Sequence, residues 1–270
     1  MYQGDYNFFD YKYNISGYEG QDYGGIAQYV YAILSIILII ILVSIFRKLS
    51  QEKITKIIKY TGIFMILFYL IKTTWESIYD IKLFHNFNTG LLPFDSCSIV
   101  MLSLILSGFT KGKLKDISTS WLMTGSIVGG ISTLLYLNAF KYYPFLSFGA
   151  FYSMIWHFLM IFIGILIIVS KYQDFNYHTV LKGFLFHLLI SLIIIPIDFI
   201  YDFDFMMYHY LGGIPIFEDL ATKLINLNLT FLNPLLMLLL YFIAFNIIYL
   251  GYVLIKRITR LNDIFINKNK

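Results

Sequence analysis

The sequence predicts an all-α integral membrane protein: a polytopic bundle of seven transmembrane helices with its N-terminus outside the cell and its C-terminus in the cytoplasm. Composition is the first observation, since apolar residues make up 59% of the 270 residues and charged residues 13%, against about 45–50% and about 25% in soluble proteins. The second is a mean hydropathy of +0.72. The third is the recurrence of apolar stretches of roughly 20 residues, the length that a helix needs to cross a bilayer.

Seven stretches of the chain are apolar and long enough to be spans. The first, third, fifth and seventh are clear, because few polar residues interrupt them. The second carries Lys72 and Glu76, the fourth is rich in Gly and Ser, and the sixth contains His187 and Asp198. In chain order, the predicted spans are about 27–46, 58–81, 91–109, 117–137, 147–170, 180–201 and 232–255.

The chain is predicted to form one domain. Residues 27–255 make up the seven-helix transmembrane domain, residues 1–26 an extracytoplasmic Tyr-rich tail, and residues 256–270 a basic cytoplasmic tail. The first tail has no basic segment followed by an apolar core, so no cleavable signal peptide is expected. The single cysteine excludes an intramolecular disulfide and a cysteine-cluster metal site. No metal and no other cofactor is expected.

The positions of Lys and Arg predict how the bundle is oriented. Fifteen of the 20 basic residues fall on alternate loops and on the C-terminal tail, whereas the opposite loops carry Lys12, Lys82, Lys141 and Lys223. Cytoplasmic loops of membrane proteins are enriched in Lys and Arg. We therefore expect a multi-pass protein of the cell membrane with the C-terminal tail in the cytoplasm.

Ionisable side chains inside the predicted spans are candidate functional residues, because each is costly to place in lipid. At about 1.5 Å per helical residue, most of these side chains fall in the outer half of the membrane, and His187 falls in the inner third. We expect one cavity, open to the outer leaflet, to be lined by Lys72, Glu76, Asp95, Cys97, His157 and Asp198.

Some of these residues also have a purely structural interpretation. Lys72 and Glu76 are four residues apart, a spacing that allows an ion pair on one helix face. Asp198 could mark the end of the sixth span, where water is available, and His187 fits a hydrogen-bonded contact between helices better than a catalytic role. Small-residue spacing predicts close helix packing at Gly125, Gly129 and Gly130.

Cys97 and His157 have the chemistry of a nucleophile and its base. Pro93 is of a type favoured at the first position of a helix, so Cys97 is expected about one turn inside the third span, near a positive helix end that favours the reactive thiolate. A histidine can activate a cysteine by taking its proton, and His157 lies in an otherwise apolar span. Asp95 would face away from Cys97 unless the helix start is unwound. The alternative for Cys97 is an inert, buried small hydrophobe.

Four short motifs resemble those of the YwaF-like bacterial integral membrane proteins and cover most of residues 27–255. Leu92 to Cys97 matches an L-P-x-x-x-C motif that opens a span, and an aromatic-rich span with His157 at its centre follows. Residues 204–208, DFMMY, stand in the place of a polar N-Y-M-F-L segment, and Pro234 opens the last span.

This resemblance implies an activity. The YwaF-like proteins are related to an animal transmembrane phospholipid acyltransferase and, more distantly, to the androgen-induced membrane hydrolases with their Thr/His pair. By resemblance, the chain is a membrane-bound lipid acyltransferase or lipid ester hydrolase, with Cys97 as nucleophile and His157 as base. The supporting or substrate-binding residues are then expected to be Lys72, Glu76, Asp95, Asp198 and Asp204.

A second class of function stays open at this point. The intramembrane carboxylates could instead bind an ion or a small polar solute, which would make the protein a transporter component and Cys97 incidental. Membrane lipids are the expected partners if the protein is an enzyme, and no nucleic acid partner is expected. The sequence leaves the oligomeric state open.

Overall fold

A computed structural model gives the structure of the chain and describes residues 6–11, 25–85, 89–135, 143–211 and 218–268. These residues are mainly helical, and no strand occurs among them. In chain order, the helices are α1 (Ile26–Phe46), α2 (Gln51–Phe84), α3 (Ile99–Phe109), α4 (Gly112–Leu122), α5 (Gly125–Leu135), α6 (Phe148–Val169), α7 (Tyr177–Tyr201), α8 (Glu218–Asn226) and α9 (Asn233–Lys268).

Five of the described helices are long and apolar enough to cross a membrane, namely α1, α2, α6, α7 and α9. The prediction of an all-α membrane protein is thereby confirmed at this level. Seven spans and the orientation of the termini stay predictions. We use "outer" for the end of the bundle that the predicted orientation places outside the cell, and "inner" for the other end.

The third predicted span is helical over part of its length only. Residues 92–98, which we call the Cys97 segment, form turns, and α3 begins at Ile99 and has 11 residues. The fourth predicted span is divided between α4 and α5. At this break the Thr124 hydroxyl donates to the carbonyls of Ser120 and Trp121, at 3.0 and 3.4 Å, and such side-chain bonds compete with helical ones.

α2 and α9 extend further toward the inner side than the predicted spans. α2 begins at Gln51 instead of residue 58, and α9 continues to Lys268 instead of ending near residue 255. Lys, Arg and Glu are good helix formers, so the basic flanks continue the helices. At the start of α2, an exposed ion pair of 2.7 Å joins Glu52 and Lys56.

The helices pack as neighbouring pairs around a core centred on α4, α6 and α7. α2 packs against α3 and α6, α4 against α3 and α7, α5 against α6, and α9 against α7. Among the largest fully buried side chains are Trp121, Trp156 and Met160. α7 begins with a capping box, in which Asn176 and Thr179 satisfy each other's backbone amides.

Glycines allow the close helix contacts that the sequence predicts. A Cβ atom added to Gly130 would lie 2.2 Å from Cγ1 of Ile161, and one added to Gly129 would lie 2.7 Å from Cε of Met160, so α5 approaches α6 through its glycine face. Gly125 is close to the Trp121 ring instead. The interpretation of these glycines as packing residues is confirmed for the α5–α6 pair.

Residues 203–211, which we call the folded-back segment, return along α7 into the bundle after the helix ends at Tyr201. Phe205, Met206, Tyr208 and Leu211 are buried, and the Tyr208 hydroxyl reaches the Ser191 hydroxyl at 2.5 Å. The rings of Phe205 and Phe94 meet edge to face, with centroids 5.3 Å apart. The folded-back segment and the Cys97 segment are therefore in contact.

Residues 6–11 lie across the outer ends of α2 and α6. The carbonyl of Phe8 accepts from the amide of Phe148 at 2.7 Å, and the Tyr11 hydroxyl donates to the buried carboxylate of Asp80. Tyr11 itself is buried. This part of the predicted tail is therefore packed on the bundle, and the predicted tail tyrosines at positions 2, 13, 18 and 23 lie outside the described residues.

Candidate functional site

The Cys97 segment takes its shape from side chains that bind its backbone. Within it, the amide of Ser98 donates to the carbonyl of Asp95 at 2.8 Å. The Tyr69 hydroxyl donates to the carbonyl of Leu91, and Nε1 of Trp156 donates to the carbonyl of Cys97 at 3.2 Å. Because side chains bind the carbonyls of Leu91 and Cys97, these two carbonyls do not need helical hydrogen bonds.

Cys97 therefore lies two residues before α3 begins at Ile99, and the prediction that it lies one turn inside a helix is wrong. The unwound helix start removes the reason for which Asp95 and Cys97 were expected on opposite faces. The side chains of Asp95 and Lys72 lie near the thiol. Aromatic rings close the surroundings: Trp156 lies 5.2 Å from Tyr152 and 6.3 Å from Tyr69, measured between centroids.

His157 lies next to Trp156 on α6, and a backbone contact holds its ring. Nδ1 lies 2.8 Å from the carbonyl of Ser153, which as an acceptor requires the proton on Nδ1. Nε2 of this tautomer carries the free lone pair. In the described part of the chain no hydrogen bond joins the imidazole to the Cys97 thiol.

Lys72 and Glu76 form an ion pair on one face of α2. The side chain of Glu76 is 8% exposed and that of Lys72 23%, and the Lys72 ammonium lies 5.6 Å from the centre of the Tyr152 ring. The structure thus shows the ion pair on one helix face that the four-residue spacing allows. The pair still belongs to the surroundings of Cys97, because Tyr152 packs on Trp156.

The remaining predicted carboxylates lie where the Cys97 segment meets the folded-back segment. Asp95 and Asp204 line a pocket of about 180 Å³, and Asp198 is close enough to both for their charges to interact. Oδ1 of Asp198 accepts from the amide of Phe205 at 3.0 Å. Oδ1 of Asp204 accepts from the amides of His209 and Tyr210, at 2.9 and 2.8 Å. Both side chains therefore stabilise the folded-back segment.

The exposed end of the folded-back segment carries a further carboxylate contact. The Tyr210 hydroxyl donates to the carboxylate of Asp202, and this hydrogen bond raises the pKa of Tyr210. The Asn233 side chain at the start of α9 donates to the carbonyl of His209 at 2.6 Å. The segment is thus fastened to both α7 and α9.

His187 lies in a closed polar network, as its structural interpretation predicts. Nδ1 lies 3.4 Å from Nε1 of Trp121, and Nε2 lies 3.3 Å from the Tyr208 hydroxyl. The Tyr241 ring packs on the imidazole with centroids 4.1 Å apart, and its hydroxyl lies close enough to the Ser96 side chain to interact. This network connects α4, α7, α9 and the Cys97 segment.

A large apolar cavity, which we call the lateral cavity, adjoins the Cys97 segment and is walled by α2, α3 and α7. Its volume is about 580 Å³. Pro93, Phe94 and Ser98 line its outer part. Leu70, Leu102 and Ile193 also line it and are 53%, 42% and 61% exposed, so the cavity opens sideways on the lipid-facing surface.

The predicted residues therefore do not line one common cavity but lie in separate surroundings. Asp95 shares a pocket with Asp204, Lys72 pairs with Glu76, and His157 is bound to its own helix. Cys97 lies near Asp95 and Lys72. In the described residues, no group of three or more His, Cys, Asp or Glu side chains could hold a metal ion.

A comparison with models of protein families identifies the family of the chain. The model of the TMEM164 family matches residues 23–256. The chain belongs to the TMEM164 family. This is a family of transmembrane proteins, in agreement with the apolar helices. No curated protein and no solved structure shows significant similarity to the chain. The likeness to YwaF-like proteins and the relation to acyltransferases stay predictions.

Several residues that shape this TMEM164 family site were not predicted from the sequence. Trp156 and Tyr69 bind backbone carbonyls of residues far away in the chain, so no local signal identifies them. Tyr241 could not be distinguished from the other aromatic residues of the last span.

Proposed function

We propose that this TMEM164 family protein is a membrane-bound lipid acyltransferase, or a lipid ester hydrolase, in which Cys97 is the nucleophile and His157 the base. One observation carries the proposal: Cys97 lies in a non-helical segment that borders an apolar cavity open to the lipid. A lipid ester can therefore reach the segment from the bilayer without passing through water.

Three further features support this assignment. The Cys97 segment is fixed by Trp156 and Tyr69, which favours a preorganised nucleophile. His157 is held with its proton on Nδ1, so that Nε2 can accept a proton. Polar atoms are available near Cys97 for the ester or headgroup, since Asp95 and Asp204 line the adjoining pocket.

The proposed reaction has two halves. Nε2 of His157 takes the proton of the thiol, directly or through one water, and Sγ of Cys97 attacks the carbonyl carbon of the lipid ester. The ester C–O bond breaks, the leaving alkoxide takes the proton from the imidazolium, and a thioester on Cys97 remains. A lipid hydroxyl then attacks the thioester with the same proton transfers, which gives a new ester and the free thiol. Water in place of the hydroxyl gives a free fatty acid.

Purified protein in vesicles that contain a labelled phospholipid and an acceptor lipid tests the proposal. Cys97→Ala should abolish transfer, and His157→Ala should lower its rate by about 10²–10⁴-fold, the usual contribution of a general base. A thiol-directed or acyl-directed probe should label the wild type and not Cys97→Ala. Unchanged transfer in a folded Cys97→Ala protein would refute the assignment.

A transporter is the second candidate, and the carboxylates favour it. Oδ2 of Asp198 is buried and has no hydrogen-bond partner among the described residues, and Asp95 and Asp204 line the pocket nearby. A cation or a small polar solute would fit such a group. In flux assays on vesicles this function requires that Asp95→Asn and Asp198→Asn abolish uptake while Cys97→Ser leaves it unchanged. The opposite pattern supports the enzyme.

A further inference from the structure

The lateral cavity has a closed inner end. At that end α2 and α3 touch through a glycine: a Cβ atom added to Gly62 would lie 3.0 Å from Cβ of Leu104 and 3.3 Å from Cδ1 of Ile105. One turn further inward, a Cβ atom on Gly108 would lie 2.7 Å from the Lys59 side chain. The two helices are therefore in contact below the cavity and separate toward the Cys97 segment.

The innermost lining residue of each wall identifies the floor. By the predicted orientation, α2 and α7 run outward and α3 runs inward, so the deepest lining residues are Ile66 on α2, Ile105 on α3 and Ile190 on α7. Seven helical residues separate Ser98 from Ile105, which corresponds to roughly 10 Å along the helix axis. The cavity is thus elongated along α3, with the Cys97 segment at its outer end.

The chemistry of the walls determines what fills this space. Apart from Ser98 and the ring of Tyr69, the lining side chains are aliphatic or purely apolar. The rim continues into the exposed apolar surface at Leu70, Leu102 and Ile193, which in a bilayer is covered by lipid. The occupant with matching chemistry is therefore one acyl chain of a membrane lipid, entering from the side.

We propose that this cavity selects acyl chains by length, with Ile66, Ile105 and Ile190 as its floor. The inference rests on the proposed function for one point only, that the ester carbonyl is held at the Cys97 segment. With the carbonyl fixed at one end and the methyl end pointing to the floor, a chain longer than the cavity must bend out into the lipid. Each methylene that is excluded loses its van der Waals contacts with the cavity walls, and the chain must bend at the floor.

A pair of neighbouring residues on α2 provides a matched test. Ile66 lines the floor, whereas Leu67 is 55% exposed and does not line the cavity. Ile66→Phe fills the floor and should shift binding toward shorter chains, Ile66→Ala deepens it and should shift binding toward longer ones, and Leu67→Phe should change nothing. The expected change is a shift of the ratio of bound short to long chains in opposite directions for the two Ile66 variants, because the chain exchanges between lipid and cavity and only its fit to the floor changes.

The measurement is competition between photoreactive phosphatidylcholines of two chain lengths, incorporated in phosphatidylcholine vesicles with the full chain. All variants carry Cys97→Ala, so that no turnover occurs, and crosslinked residues are identified by mass spectrometry. Labels on residues of the cavity, with a length ratio that moves in opposite directions for Ile66→Phe and Ile66→Ala, support the proposal.

An equal length ratio in all folded variants, or labels spread over the exposed faces of α1 and α9, would overturn it. Folding is checked for each variant by thermal denaturation and gel filtration. Because the binding ratio is measured without catalysis, a length effect together with unchanged transfer in the Cys97→Ala protein would leave the cavity proposal standing and refute the enzyme. Loss of transfer in the Cys97→Ala protein without a length effect would support the enzyme and refute the cavity proposal.

Discussion

The indole Nε1 of Trp156 donates a hydrogen bond of 3.2 Å to the backbone carbonyl of Cys97. This bond joins the middle of α6 to the turn that carries the thiol. Trp156 directly precedes His157 in the chain, so the neighbour of the proposed base contacts the proposed nucleophile, Cys97. The relative position of the proposed base and nucleophile therefore depends on Trp156, which itself needs no chemical role.

Trp156→Phe should lower activity more than stability. Phenylalanine keeps most of the ring packing and removes the donor, so unfolding should become easier by about 1 kcal/mol, the net value of one hydrogen bond. A misplaced nucleophile, however, should lower kcat by about tenfold or more. Rates of acyl transfer and thermal denaturation, measured on the same preparation, test this. A loss of activity that only follows the loss of folded protein would contradict it.

Gly130→Ala should destabilise the bundle, whereas Gly251→Ala should not. A Cβ atom at position 130 would lie 2.2 Å from Ile161 and 3.0 Å from the carbonyl of His157, but one at position 251 has nothing within 4 Å. Overpacking of this kind costs about 1–3 kcal/mol, and replacing a solitary helical glycine gains about 0.5–1 kcal/mol. Thermal denaturation in one detergent compares the two variants. Equal effects would show that α5 and α6 do not pack as described.

Glu76→Gln should be costly because it leaves the ammonium of Lys72 without its partner inside the bundle. A fully buried pair loses about 3–5 kcal/mol on removal of one partner. Since Lys72 is 23% exposed, we expect a smaller loss of about 1–3 kcal/mol. The double variant Lys72→Met/Glu76→Gln should recover part of it. Glu52→Gln is the control, because the Glu52–Lys56 pair is exposed and screened by solvent, and thermal denaturation in one detergent compares all these variants.

Reporter fusions test the orientation of the chain. A reporter that is active only in the cytoplasm should be active when it is fused after Lys270, and one that is active only outside the cell should be inactive there. The reason is the concentration of Lys and Arg on the predicted cytoplasmic loops and tail. Activity of the second reporter at this position would place the C-terminus outside the cell and exchange the outer and inner ends of the bundle.

Two of the clear spans, the first and the fifth, could be predicted from the sequence to within about one residue at both ends. α1 was predicted at 27–46 and is found at Ile26–Phe46, and α6 was predicted at 147–170 and is found at Phe148–Val169. Their hydropathy is a local property of the chain. The break before Ile99 could not be predicted, because the hydrogen bonds that replace the helical ones come from Tyr69 and Trp156.

In the candidate site, too, local features could be predicted from the sequence and tertiary contacts could not. The Lys72–Glu76 pair was predictable because both residues lie on one helix face. The convergence of Asp95 with Asp204 depends on the return of residues 203–211 along α7, and the contact of Tyr241 with His187 depends on the docking of α9. Both are tertiary events that leave no periodic pattern in the sequence.

The short α3 has a consequence for how the protein is made. Its 11 residues rise about 16 Å, roughly half of a hydrocarbon core of about 30 Å, and the preceding turns carry peptide groups that lipid cannot satisfy. During synthesis, α3 emerges from the ribosome well before Trp156, which supplies one of the missing donors. Until α6 arrives, this stretch must be shielded by the insertion machinery or stay outside the bilayer. Nascent chains truncated before α6 should therefore be recognised by quality-control proteases.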